Sequence, residues 1–202
     1  EIAAQGVSAY LASMEANWEA AEALGSAAAS QATSDYNGLR QSNGPENPYK
    51  LHAELADVMW NRCGIWRTQR DLETARTELD GLAARAKQCK LLDDSGWVNQ
   101  AVPFTRALQN MIEMSKAIVG GALVRQESRG AHFKMDTPNR DDEQWLCTTK
   151  ATYAPDGPSF DLSEKIDCRF IAPRARKYRI NQNMIVKEIM GEDALSGVGS
   201  SA

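Results

Sequence analysis

Apolar residues recur at helical spacing over four stretches of this chain, and the period changes only towards the C-terminus. From Ile2 to Ser30, Ala and Glu dominate, and Val7, Leu11, Met14, Trp18 and Leu24 fall on one helical face. This predicts a first long helix. The stripe gives out between Ser26 and Gly44, where Ser, Asn, Gly and Gln replace apolar residues, so a loop is expected there. It ends in the breaker cluster Asn43-Gly44-Pro45-Glu46-Asn47-Pro48. Pro48 suits the first turn of a second helix with Asn47 as its cap, and Leu51, Leu55, Val58, Met59 and Arg62 continue it until Gly64 interrupts.

A third helix carries a 3-and-4 stripe of Leu72, Ala75, Leu79, Leu82 and Ala86. Asp71, Glu73, Arg76, Glu78 and Arg85 cover its other face, and it should end near Lys90. Asp93-Asp94-Ser95-Gly96 turns the chain. A fourth helix then runs from about Val102 to Gln126 through Leu108, Met111, Ile112, Ser115, Ile118, Val119, Ala122 and Leu123. Gly120 and Gly121 lie inside it at a cost of about 1 kcal/mol each against Ala. A neighbouring element approaching the backbone would explain them, with a hinge as the alternative.

After Cys147 the period becomes two. Thr148, Lys150 and Thr152 alternate with Thr149, Ala151 and Tyr153, Pro155-Asp156-Gly157-Pro158 makes a turn, and Phe160, Leu162, Ile166, Cys168 and Phe170 follow. Short antiparallel strands are expected. The predicted fold is therefore mostly α: a three- to four-helix bundle of spectrin-repeat-like up-down helices with a small C-terminal β-hairpin segment. Residues 1–130 form the bundle domain, 131–180 the small segment, and 181–202 a tail expected to be disordered, since Gly191 to Ala202 are small and polar.

Composition narrows the function. With 202 residues, 43% of them apolar, the chain can bury a sizeable core. A net charge of −4 argues against a nucleic-acid partner, which calls for a basic face. The longest apolar run, Ala117 to Val124, is far short of the roughly 20 residues of a membrane span. No charged-then-apolar leader is present, and the chain begins at Glu1 rather than Met, as expected of a piece of something longer. Cys63, Cys89, Cys147 and Cys168 are widely spaced with no CxxC pair, so reduced, half-buried thiols in the cytosol are expected rather than zinc. There is no Gly-rich dinucleotide turn, Walker loop or nucleophile elbow.

Two histidines are present. His52 reads as a helix-surface residue, whereas His132 stands beside Glu127, Arg129 and Gly130 in a polar loop that follows the fourth helix. A charge-assisted network among Glu127, Arg129 and Asp141 or Asp142 is expected. It suits a clamp holding the helix to a neighbouring domain better than it suits an acid or base at His132. Asp141-Asp142-Glu143 reads as a helix N-terminus rather than a cation site. Arg174, Arg176, Lys177 and Arg179 around Tyr178 read as a solvated or protein-contacting edge, and Trp60 and Trp66 as packing residues.

The loop Glu127-Ser128-Arg129-Gly130-Ala131-His132, with Asp136, Pro138 and Arg140-Asp141-Asp142 after it, resembles the C-terminal part of the succinate dehydrogenase and fumarate reductase flavoproteins. The resemblance runs back through Asn47-Pro48-Tyr49-Lys50-Leu51-His52, Met59 to Arg67, Asn99-Gln100 and Phe104-Thr105-Arg106. It runs forward to Ile171-Ala172-Pro173-Arg174 and Tyr178. It implies that a flavin-binding domain and a capping domain precede this region in the parent polypeptide. FAD and the dicarboxylate site then belong to those earlier parts, with no catalytic, cofactor-binding or metal residue in this chain.

The resemblance further implies succinate and fumarate interconversion, with electrons passing to an iron–sulfur subunit and on to quinone in a membrane-anchor cytochrome b subunit. Partners would be the flavin-binding domain, the iron–sulfur subunit and, indirectly, the anchor, at the inner, cytoplasmic face of the cell membrane. Glu127, Ser128, Arg129, Gly130, His132, Asp141 and Asp142 are the candidate interface with the flavin-binding domain. A second reading is a free-standing helical interaction module, or the same region of an L-aspartate oxidase.

Overall fold

The computed structural model describes residues 2–13, 18–93, 95–171 and 173. Met14, Asp94, the Trp18 side chain, the basic set Arg174, Arg176, Lys177 and Arg179 with Tyr178, and the tail 181–202 lie outside the described residues. The elements are α1 (Ile2–Ser13), α2 (Trp18–Gln41), α3 (Pro48–Cys63), α4 (Gln69–Ala86), α5 (Ala101–Val124) and the single turn α6 (Asp142–Trp145). Two short strands follow, β1 (Lys150–Thr152) and β2 (Ser159–Asp161). They pair antiparallel with Ala151 opposite Phe160. This is the mostly helical bundle with a small hairpin that the periodicity predicts.

Each core helix starts where its sequence supplies a cap. Asn47 Oδ1 accepts from Tyr49 N at 2.9 Å and Lys50 N at 3.3 Å, with Pro48 in the first turn. Thr68 Oγ1 accepts from Asp71 N at 3.0 Å at the head of α4. Asn99 Oδ1 accepts from Ala101 N at 2.9 Å and Val102 N at 3.3 Å at the head of α5. The three helices then bury one continuous cluster in which Leu51, Leu72, Leu79, Leu108 and Val119 are wholly removed from solvent. Each such side chain contributes roughly 1.5–3 kcal/mol of transfer free energy. Arg85 pins the breaker loop to this core: Nε donates to Glu46 Oε1 at 2.7 Å and Nη1 to Glu54 Oε2 at 2.5 Å.

Two expectations need correction. The stretch from Ser26 to Gly44 is not a loop, because α2 remains helical to Gln41. Its Ala27-Ala28-Ala29 run and Ala32 favour the helix, Gln31 Nε2 reaches Asp35 Oδ1 one turn on at 2.8 Å, and Tyr36 and Leu39 pack against Leu91, Ala101 and Val102. Tertiary contact at the helix end outweighs the Ser, Gly and Asn content. Trp60 is likewise not a packing residue, being 77% exposed. Trp66, 45% exposed, packs edge-on against Phe133 with ring centroids 5.5 Å apart.

The glycine pair in α5 is a seat rather than a hinge, since the helix runs through it unbroken. A Cβ on Gly120 would come to 2.5 Å from Phe160 Cζ, so the bare backbone there is what lets the β2 aromatic lie on the helix. Gly120→Ala should gain about 1 kcal/mol of helix propensity and lose about 1–3 kcal/mol to overpacking. The expected outcome is a lower melting temperature in the parent chain and a higher one when the same change is made on a Phe160→Ala background. Equal shifts in both backgrounds, measured by thermal denaturation, would refute the seat.

Candidate functional site

The polar loop after α5 begins as a solution to a problem at the helix end. The last carbonyls of a helix have no partners within it, and here they are buried. Lys134, itself wholly buried, turns its ammonium onto them: Nζ donates to Leu123 O at 3.3 Å, Arg125 O at 3.4 Å and Gln126 Oε1 at 3.1 Å. The negative end of the helix dipole favours a cation at this position. Burial nonetheless pushes the Lys134 pKa down. Such a residue is foreshadowed only by a lysine standing shortly after a helix end, and the network expected from the sequence does not include it.

Around that cap the chain folds into a tight turn. Arg129 N donates to His132 O at 2.8 Å and His132 N returns to Arg129 O at 3.0 Å. Gly130 sits between them at φ +62, a conformation that side-chain-bearing residues resist. Ser128 is buried inside the loop, where Oγ donates to Thr137 O at 2.8 Å and accepts from Lys134 N at 2.9 Å.

The expected ion network forms through Glu127, whose side chain is completely buried. Its carboxylate accepts from Arg129 Nε at 2.7 Å and Nη2 at 3.0 Å, from Asp141 N at 2.9 Å, and pairs with Arg125 Nη2 at 3.2 Å. Arg129 Nη2 also donates to Asp142 Oδ1 at 2.7 Å, and Arg140 Nε meets the same oxygen at 2.6 Å. Arg140 and Arg129 hold the Asp142 carboxyl down to about 2, while Glu127 and then Asp142 push the Arg129 pKa up. Asp141 caps α6 through Glu143 N and Gln144 N, so the acidic run is a helix start, as the sequence suggests. Arg125 extends the network to α6 and the connection that follows it, donating to Trp145 O at 2.7 Å and Cys147 O at 3.0 Å.

His132 points the other way, towards the corner between α3 and α4. Arg67 Nη1 lies 3.0 Å from His132 Nδ1 and can only donate, so the ring is the neutral tautomer carrying its proton on Nε2. Nε2 is buried and has no hydrogen-bond partner among the described residues. Burial, with the neighbouring Arg67, Lys134 and Arg125 cations, pushes the His132 pKa down to about 4. Two backbone bonds fasten the same corner, Arg67 N to Phe133 O at 3.2 Å and Met135 N to Arg67 O at 2.7 Å. Asp136 Oδ2 accepts from Gln69 N at 2.6 Å at the start of α4. The sequence reading placed neither Arg67 nor Arg125 in this assembly.

His52 is exposed and lies tilted against Phe104, far in sequence from the loop. Cys63, Cys89 and Cys147 are buried free thiols and Cys168 is partly buried. Among the described residues no group of three His, Cys, Asp or Glu side chains could hold a metal ion. A cavity of about 670 Å³ opens between α2, α4 and α5, with Tyr36, Leu39, Cys89, Val102 and Arg106 in its lining, and it shares no residue with the loop.

A histidine held neutral when folded and titrating normally when unfolded binds fewer protons in the native state between those two values. Its contribution is therefore complete above 6.5 and is lost as pH falls from 6.5 towards about 4. His132→Asn, whose amide oxygen can stand in for Nδ1, should remove that part of the pH dependence. The wild type should lose stability relative to this variant as pH falls through the window, read from melting curves of both proteins, and parallel pH profiles would exclude the neutral-histidine arrangement.

Residues 52–178 match the family model described as fumarate reductase flavoprotein C-term. The succinate dehydrogenase flavoprotein subunit of Bacillus subtilis is 36% identical over 142 residues, covering 69% of this chain and 24% of that protein. The fumarate reductase flavoprotein subunit of Helicobacter pylori is 32% identical over 151 residues, covering 73% of this chain and 21% of that protein. The chain thus spans about a quarter or less of the length of these curated relatives. Among solved structures, an E. coli quinol fumarate reductase superposes with a TM-score of 0.70 at 28% identity, over 81% of this chain and 27% of that one. The adenylylsulfate reductase of Archaeoglobus fulgidus shares the fold at a TM-score of 0.55 and 19% identity, over 62% of this chain and 21% of that one. The chain belongs to the fumarate reductase flavoprotein C-terminal family, the C-terminal domain of succinate dehydrogenase and fumarate reductase flavoprotein subunits.

Proposed function

We propose that this region braces the flavin-binding domain of a succinate dehydrogenase or fumarate reductase flavoprotein, and that the loop from Glu127 to His132 with Asp141 and Asp142 is where the two dock. In this reading the parent polypeptide carries FAD and the dicarboxylate site and interconverts succinate and fumarate. Electrons pass to an iron–sulfur subunit and then to quinone at a membrane anchor on the cytoplasmic face. The helical bundle of residues 1–130 and the small segment of 131–180 act as one support, with the tail 181–202 beyond them. Among the described residues no helix is long and apolar enough to cross a membrane.

One observation carries the reading. A carboxylate removed entirely from water and held by two guanidinium groups is a costly device, well beyond what ending a helix requires. What it holds rigid is an exposed turn, Gly130-Ala131. A rigid, solvent-facing turn on a buried ionic base is built to meet another surface. The loop is poorly suited to hold the flavin itself, because Arg125, Arg129 and Arg140 are already committed to carboxylates and carbonyls of the loop.

Arg129→Ala in the full-length flavoprotein tests this. Leaving Glu127 buried without that partner costs about 3–5 kcal/mol, so the turn should loosen, and retained flavin, subunit assembly and succinate oxidation should all fall. Unchanged values for all three would sink the docking role.

A further inference from the structure

Several guanidinium groups at the ends of the core helices face a carboxylate. Arg62 meets Asp71 and Glu78, Arg85 meets Glu46 and Glu54, and Arg125 and Arg129 share Glu127. Arg67 does not. Nε donates to Gly64 O at 3.0 Å and Nη1 to a neutral imidazole, and among the described residues no carboxylate lies within ion-pair distance of it. The acidic side chains at this corner are engaged elsewhere, Asp136 on Gln69 N, and Asp71 on Thr68 and Arg62. Two contacts therefore orient a cation and leave its remaining N–H groups unmatched.

The chain leading into Arg67 carries exposed apolar side chains. Trp60, Ile65 and Trp66, at the end of α3 and in the connection to α4, are 77%, 70% and 45% exposed. Three large apolar side chains left exposed within seven chain positions are more than a soluble surface normally leaves uncovered. A fixed guanidinium that follows such residues in the chain selects a surface that offers a carboxylate next to apolar side chains, because a planar fork pairs best with a carboxylate.

We propose that Arg67, which directly follows the exposed Ile65 and Trp66 in the chain, receives an aspartate or glutamate side chain from the flavin-binding part of the same polypeptide. The inference rests on the docking reading above and names its chemistry. Its occupant follows from continuity: Arg67 is joined through His132, Phe133 and Met135 to the loop assigned to that interface. In the curated relatives about three quarters of the polypeptide lies outside the matching region, which supplies the surface.

Zero-length carbodiimide coupling in the full-length flavoprotein is the test. With Arg67→Lys, the amine placed at position 67 should attack the carbodiimide-activated carboxyl of an Asp or Glu of the flavin-binding part, forming an amide bond and releasing the carbodiimide as its urea. Peptide mass spectrometry should find the link, and it should be missing from Arg67→Gln. Should the lysine variant fold poorly, the wild-type protein gives a second readout: Arg67 should resist phenylglyoxal while the exposed Arg70 and Arg76 react. Coupling to Asp136 or Asp71, to another subunit or to a second copy overturns the proposal, as does Arg67 reacting as fast as Arg70. The docking reading fails separately: a silent Arg129→Ala with position 67 still coupled removes the loop, whereas a damaging Arg129→Ala without coupling removes only the carboxylate.

Discussion

The buried C-terminal end of α5 is the constraint from which the rest of this region follows. A helix that ends in solvent can leave its carbonyls to water, but one that ends against its own chain must find donors for them. The ammonium of Lys134 supplies three bonds from one atom. To reach that position the chain has to double back within ten residues of the helix end, which fixes a tight turn at Gly130 and a buried serine at its base. Glu127 then compensates the cations that this folding gathers, and each carboxylate oxygen is matched.

The same loop joins parts of the bundle that have little else in common. Through Arg67 and Asp136 it reaches the corner between α3 and α4, and through Arg125 it reaches α6 and the connection that leads to β1. Polar bonds accomplish on this side what Leu and Val accomplish in the core. Hydrogen-bond geometry makes them directional, so they position a surface more sharply than apolar packing does.

Much of this was legible in the residues. Periodicity located α3, α4 and α5 because their apolar stripes are regular, and Asn47 is a standard cap. Gly120 and Gly121 announced a close neighbour, though not that it would be Phe160. A network of Glu127, Arg129 and either Asp141 or Asp142 could be named from charge order alone, and the folded loop selects the Asp142 carboxylate. The second half of α2 could not, since its helicity is settled by Tyr36 and Leu39 docking on residues far along the chain. Nor could the roles of Lys134 and Arg67, because both depend on a loop folding back onto a helix end, a relation that spacing does not encode. Trp60 was misread because an aromatic at helical spacing looks the same whether its face is covered or open.

The seat of Phe160 on Gly120 bears on the order in which the molecule assembles. The three core helices follow one another in sequence and pack on their neighbours, contacts that close quickly because little chain separates them. The hairpin must wait for α5 to exist before its aromatic has anywhere to rest. On a ribosome, where the chain emerges from its N-terminal end, the bundle can therefore form first and the strands can be added to a finished surface.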